Sequence, residues 1–258
     1  MSVRRLTIGF VLLILLVGCV FWFYKNSQYQ RDDVYNREMF DVVMAEKMQQ
    51  LYDQAQNWEQ PIHLDVHDKR LYGDYKIMSE FLLNYWMQNA EARNLYLREL
   101  KAAKWDQFLD VDRLDQDRQH NYVETTQMLA DVKMIETNYL QDNSESQQHF
   151  LNQARSLSIH PEMKAALLVK INQKQDQRKE YALFNLEQQI YSKAEQMFEL
   201  LKNHRWQKQD GKISFYDAAQ VKQFNQLYQY VLRINAKIEK IKSQNAQTLQ
   251  KDVASPRQ

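Results

Sequence analysis

Hydrophobic and polar positions divide the chain into two unlike parts. Residues 6–24, LTIGFVLLILLVGCVFWFY, form an apolar run without a charged side chain. At ~1.5 Å of rise per helical residue this run just crosses a hydrocarbon core of about 30 Å, so a spanning helix is the first reading. Beyond it, apolar residues recur at three- and four-residue spacings, the signature of amphipathic helices. The first, from about Ser27 to Trp58, gathers Phe40, Val43, Met44, Met48, Leu51, Ala55 and Trp58 on one face. It stops near Gln60, because Pro61 disfavours helix at the residue before it and has no N–H to donate. Ile62-His63-Leu64-Asp65 then leads to a second helix expected over about Asp68 to Lys104, with Tyr75, Met78, Leu82, Tyr85, Trp86, Tyr96, Leu97 and Leu100 inside. Gly73 is an awkward residue for its first turns.

After Trp105, the link Asp106 to Asp110 precedes a third helix from about Asp112. Tyr122, Leu129, Val132, Ile135 and Tyr139 are in phase, and the phase runs through Asn143 and Ser144 to Leu157, which predicts one long helix. A fourth opens with Pro161 in its first turn, where a missing N–H costs nothing, and runs to about Asn203. Arg205 to Asp217 reads as a hairpin: Asp210-Gly211 is a turn pair, and Ile213 and Phe215 alternate with Lys212 and Ser214. Asp217 then caps a fifth helix with Val221, Phe224, Leu227, Tyr228, Val231, Ile234, Ile238 and Ile241 expected inside. The expected chain is all-α: a cytoplasmic stub (1–5), a transmembrane signal anchor (6–24), an elongated antiparallel helical bundle with one β-hairpin (27–243), and a Gln-rich disordered tail (244–258).

Composition narrows the class. Four Gly and three Pro in 258 residues exclude a turn-rich β fold, and a net charge of +1 argues against nucleic acid as a general partner. The single cysteine, Cys19, lies in the apolar run, so the body has no disulfide, Zn-thiolate site or thiol nucleophile. Cys19 opens a second reading of that run, because Leu16-Val17-Gly18-Cys19 has the form of a lipobox ending in a lipidated cysteine. The flanks favour the anchor: Val20 to Tyr24 would follow the lipid, where a polar linker is usual, and Trp22, Phe23 and Tyr24 suit an interfacial aromatic belt. A short stub ahead of a long body places the protein in a bacterial inner membrane as a single-pass chain with a periplasmic body; the alternative is a lipid-anchored envelope protein.

Gly211, Ile213, Phe215, Gln220, Phe224, Asn225 and Leu227, preceded by Trp206, resemble the C-terminal part of a family of bacterial envelope lipoproteins of unknown function. The resemblance covers the last fifth of the chain and the general plan of a membrane signal followed by a helical body. It implies an envelope location and carries no catalytic or ligand-binding residue.

No constellation of catalytic residues emerges, so neither an enzyme nor a cofactor is expected. His63 and His67 with Asp65 and Asp68 have metal-ligand spacing if helical, but Pro61 makes this a loop where Asp serves capping. Glu124, Asp131, Glu136 and Asp142 are expected on a solvated helix face, and the aromatics in a packed core. The expected function is a protein-interaction or scaffold module with an unidentified protein partner; the alternative is a ligand-sensing or lipid-binding envelope protein. In an up-and-down bundle the links near Trp105 and Trp206 fall at the membrane end, and those at Pro61 and Pro161 at the far end. Lys202, Arg205, Lys208 and Lys212 around an exposed Trp206 would then meet anionic headgroups; a Trp206 packed beneath the hairpin is the alternative.

Overall fold

The computed structural model describes the backbone of residues 34–175 and 179–254. The stub, the apolar run 6–24 and Cys19 lie outside the described residues, and among the described residues no helix is long and apolar enough to cross a membrane. Helix α1, residues 34–56, buries Val43, Met44 and Leu51. From 61 to 72 the chain runs without helix or ladder, with Ile62 and Leu64 buried and His63, Asp65 and His67 exposed, the alternation of an extended strand. Polar side chains of α1 hold this segment in antiparallel register. Gln54 accepts from His63 N–H and donates to its carbonyl (2.8 and 3.0 Å), Lys47 Nζ donates to the Asp65 carbonyl (2.7 Å), and Asn36 Nδ2 donates to that of Tyr72 (2.8 Å). The extended residues 61–68 and the turn after them carry the chain back to where α1 began, where Asn36 meets Tyr72.

Helix α2 (Gly73–Ala102) therefore starts beside the beginning of α1 and runs parallel to it. The far end of α1 meets the later turns of α2: Ile62 N–H donates to Glu91 Oε2 (2.9 Å), Arg98 Nη1 to the Trp58 carbonyl (2.9 Å), and Lys101 pairs with Glu59 (2.5 Å). This overturns the antiparallel order expected for the first two helices. The start at Asp68 is also corrected. Asp68 Oδ1 accepts from Arg70 N–H and Nε (both 2.9 Å), and Arg70 bridges on to Glu46, so the residue closes a turn instead of opening a helix. Gly73 enters α2 at φ +57°, a conformation that glycine adopts without penalty.

Past a 3-10 turn at Trp105–Gln107 come α3 (Val111–Gln119) and α4 (Val123–Ser156), where one helix was expected. Asn121 and Tyr122 break it, both with positive φ (57° and 58°). Such non-glycine positions cost on the order of 1 kcal/mol or more each and persist where tertiary contacts demand them. As expected, α4 passes Asn143 and Ser144 without interruption. The fourth helix is described as α5 (Pro161–Gln175) and α6 (Lys179–Asn203), with 176–178 outside the described residues.

The hairpin is as read from the sequence. β1 (Trp206–Gln209) pairs antiparallel with β2 (Lys212–Phe215), Trp206 opposite Phe215, across a turn with Asp210 and Gly211 both left-handed. Asp217 Oδ1 accepts from Ala219 N–H (2.7 Å) and caps α7 (Ala218–Ala254). That helix continues beyond Ser243, where a disordered tail was expected, because no Gly or Pro interrupts residues 212–255 and Gln, Lys, Ala and Leu are good helix formers.

Aromatic contacts set the bundle order. Tyr139 of α4 lies 4.7 Å from Tyr96 of α2, and Phe150 stacks on Tyr85 (3.6 Å) and Phe81 (4.7 Å), so α4 is antiparallel to α2. Phe184 of α6 meets Tyr139 (5.6 Å) while Tyr191 Oη donates to the Leu129 carbonyl (3.1 Å), so α6 is antiparallel to α4. α7 folds back on α6 after the hairpin, and Tyr230 Oη donates to Gln189 (2.9 Å). The hairpin and Trp105 thus share one end of the bundle; the starts of α1 and α2, the end of α4 and Pro161 share the other.

Candidate functional site

The sequence directs attention to the hairpin corner, and the structure assigns its residues a different task. Trp206 is 2% exposed. Its Nε1 donates to Tyr122 Oη (2.7 Å), which donates in turn to the Leu201 carbonyl (2.9 Å). The Arg118 guanidinium lies 4.5 Å from the indole centroid, donates to the Trp206 carbonyl and pairs with Asp115 (2.6 Å). Burial pushes the Tyr122 hydroxyl above its ordinary pKa, which keeps it a neutral donor. This relay explains the strained break before α4, since only there does the Tyr122 ring enter the core beside Phe198 (5.6 Å).

Below it, Asp117 of α3 caps α4. Its carboxylate accepts from Glu124 N–H (3.0 Å), Thr125 N–H (2.8 Å) and Thr125 Oγ1 (2.6 Å), and these bonds hold it below the usual carboxylate range against the burial that raises it. Arg113 braces the same turn through Thr125 Oγ1 (3.0 Å) and the carbonyls of Gln107 and Phe108 (3.0 and 2.8 Å).

The remaining residues expected to touch a membrane are only partly free. Lys208 pairs with Asp112, Arg205 lies 5.3 Å from the Tyr216 ring, Lys202 lies 6.0 Å from that of Phe198, and Lys212 is exposed on β2. Trp206, the aromatic that was to sit among them, is in the core. The corner also lies at the end remote from residue 34: the 34 residues of α4, about 50 Å of helix, separate the two ends. The parallel course of α1 and α2 is the physical reason, because it exchanges the ends that an antiparallel pair would have assigned.

A second polar cluster, which periodicity missed, lies between α2, α4 and α6. Arg93 makes a forked pair with Glu187, Nη1 to Oε2 at 2.8 Å, and sits 4.9 Å from the Tyr96 ring. Glu136, expected on the solvated face, is 7% exposed, and burial with the nearby Glu187 and Glu195 carboxylates pushes its pKa up to about 7. Its position one residue after Ile135 and four after Val132 put it at the margin of the apolar stripe, a signal that could have been read. Asn94 Nδ2 is buried and has no hydrogen-bond partner among the described residues.

This cluster holds a perturbed acid, and two surface grooves of about 350 and 400 Å³ lie along α6 and α7, neither of them lined by Glu136. His67 Nδ1 meets Glu80 (2.7 Å) and Asp68 meets Arg70, so the four residues with metal-ligand spacing do not converge; among the described residues no group of three His, Cys, Asp or Glu is placed to hold a metal. No protein-family model, curated protein or solved structure matches the chain.

Proposed function

We propose that the protein is a membrane-anchored helical scaffold whose body lies outside the cytoplasm and presents helix faces to a protein partner. The observation that carries this is the uncharged run 6–24 followed by an elongated bundle whose polar clusters are spent on internal braces. A reporter that functions only in the periplasm, fused after Gln258, will be active in cells, and the same fusion to a reporter that needs the cytoplasm will be silent. The reverse pair of results would move the body to the cytosol and leave a cytosolic scaffold.

Leu16-Val17-Gly18-Cys19 supports a second reading, a lipid anchor in place of the helix. On the anchor reading, Cys19→Ser leaves the size of the protein and its membrane association unchanged, and no acyl label is incorporated by the parent chain. A mature species lacking residues 1–18, lost on the substitution, would establish the lipoprotein instead.

A further inference from the structure

We propose that α7 is a cationic docking face for the anionic headgroups of the bilayer that holds the chain, so that the bundle lies along the membrane. This rests on the anchor proposed above. Val221, Tyr228 and Leu232 are 37%, 39% and 42% exposed, and at 100° per residue their positions fall within ~40° of one another on the helix. About 100° round from them, Lys222, Arg233 and Lys240 form an exposed basic stripe. None of the three pairs with a carboxylate among the described residues.

Charge makes this face unlike the rest. Residues 34–217 carry 23 Lys and Arg against 29 Asp and Glu, whereas α7 carries six against two. The near-neutral chain is therefore an acidic body with one basic helix along it. An anionic surface repels the body and attracts α7, each Lys or Arg near such a surface contributing favourably. Reach permits the contact: the nine residues 25–33 extend at most about 30 Å, and α7 runs from the hairpin end back toward the end at which α1 leaves that link. A planar charged surface also fits the shape better than an acidic protein helix does. The three apolar side chains stand singly on a shoulder of α7, and a docked helix would require a continuous groove for its anchors.

The test uses the full chain reconstituted in vesicles of phosphatidylcholine with or without phosphatidylglycerol, with a photoreactive diazirine side chain in place of Gln229 on the basic flank or, as a control, of Met134 on α4. Lipid adducts are expected at position 229 with phosphatidylglycerol and not at 134. They should fall by at least about tenfold in phosphatidylcholine alone, in high salt, and in the K222E/R233E/K240E variant, whose helical circular dichroism is unchanged. Equal adducts in both vesicles, or none at 229 while the chain still floats with them, would overturn the docking face and leave the anchor standing. A chain that floats only with phosphatidylglycerol and is released by salt would overturn the anchor and leave the docking face standing. Adducts at 229 in intact cells that contain protein and no lipid would replace the headgroups with an acidic protein partner.

Discussion

Replacing Trp206 with alanine will destabilise the protein by about 3–5 kcal/mol, the range for removing a large buried aromatic, and urea unfolding of the full-length chain will show it as a lower midpoint. The size follows from what the indole does. It fills the space beneath the hairpin, satisfies the Tyr122 hydroxyl and supports the Arg118 guanidinium. Trp206→Phe retains most of the volume and removes the donor; Tyr122→Phe leaves the indole N–H and the Leu201 carbonyl unpaired, a loss of about 1–3 kcal/mol. Because the two residues share one hydrogen bond, the double variant Trp206→Phe with Tyr122→Phe will be less destabilised than the sum of the two single changes. Strict additivity would show that the relay is not formed. The consequence for function is equally direct. A Trp206 that resists quenching by an aqueous quencher until the chain unfolds is a core residue, and no membrane contact at the hairpin can be built on it.

The second large effect concerns pH. Glu136 has a folded-state pKa of about 7 against an ordinary value of 4.5, so between those values the folded chain holds a proton that the unfolded chain has released. Stability attributable to this group is therefore full below pH 4.5, declines as pH rises through that window and is lost above pH 7, by about 3 kcal/mol in all. Glu136→Gln mimics the protonated acid. It will match the parent near pH 4.5 and exceed it in stability by about 2–3 kcal/mol at pH 8, with a flatter profile between. Superimposable profiles for the parent and the variant would mean that Glu136 ionises freely in the folded chain. The Arg93 guanidinium beside it stays charged throughout this window, since its pair with Glu187 raises its pKa against the burial that lowers it.

These two sites differ in how far the sequence betrays them. Asp210-Gly211 with alternating Ile213 and Phe215 specifies the hairpin locally, because the turn needs left-handed residues and the strands need one buried face. Asp217 likewise declares the start of α7. Trp206 is placed within that hairpin by the same signals, but its depth depends on α3 and α4 reaching it from some ninety residues earlier, as the bond between Trp206 and Tyr122 shows. Glu136 sits where an apolar stripe meets a polar face, and its fate depends on α6 closing over it with two further carboxylates.

What the sequence by itself determined is the local grammar: helix identity from three- and four-residue periodicity, the uninterrupted passage through Asn143 and Ser144, the hairpin, the cap at Asp217 and an aromatic core. Each depends on residues close along the chain, where backbone preference and one buried face suffice. Only the tertiary structure decided the parallel course of α1 and α2, the break at Asn121 and Tyr122, and the burial of Trp206 and Glu136. The break illustrates the reason. Residues 112–139 are in helical phase throughout, yet Asn121 and Tyr122 take a strained conformation, Tyr122 being held by hydrogen bonds to the Asp117 carbonyl nearby and to Leu201 and Trp206 far along the chain. The return strand illustrates it again, since Pro61 signals a stop, but the direction taken afterwards is set by Gln54, Lys47 and Asn36, whose side chains pair with a backbone that is remote in sequence until the fold forms. Interactions between distant segments carry no periodicity of their own, and so the ends of the bundle, and the face of it that carries its positive charge, were decided by packing.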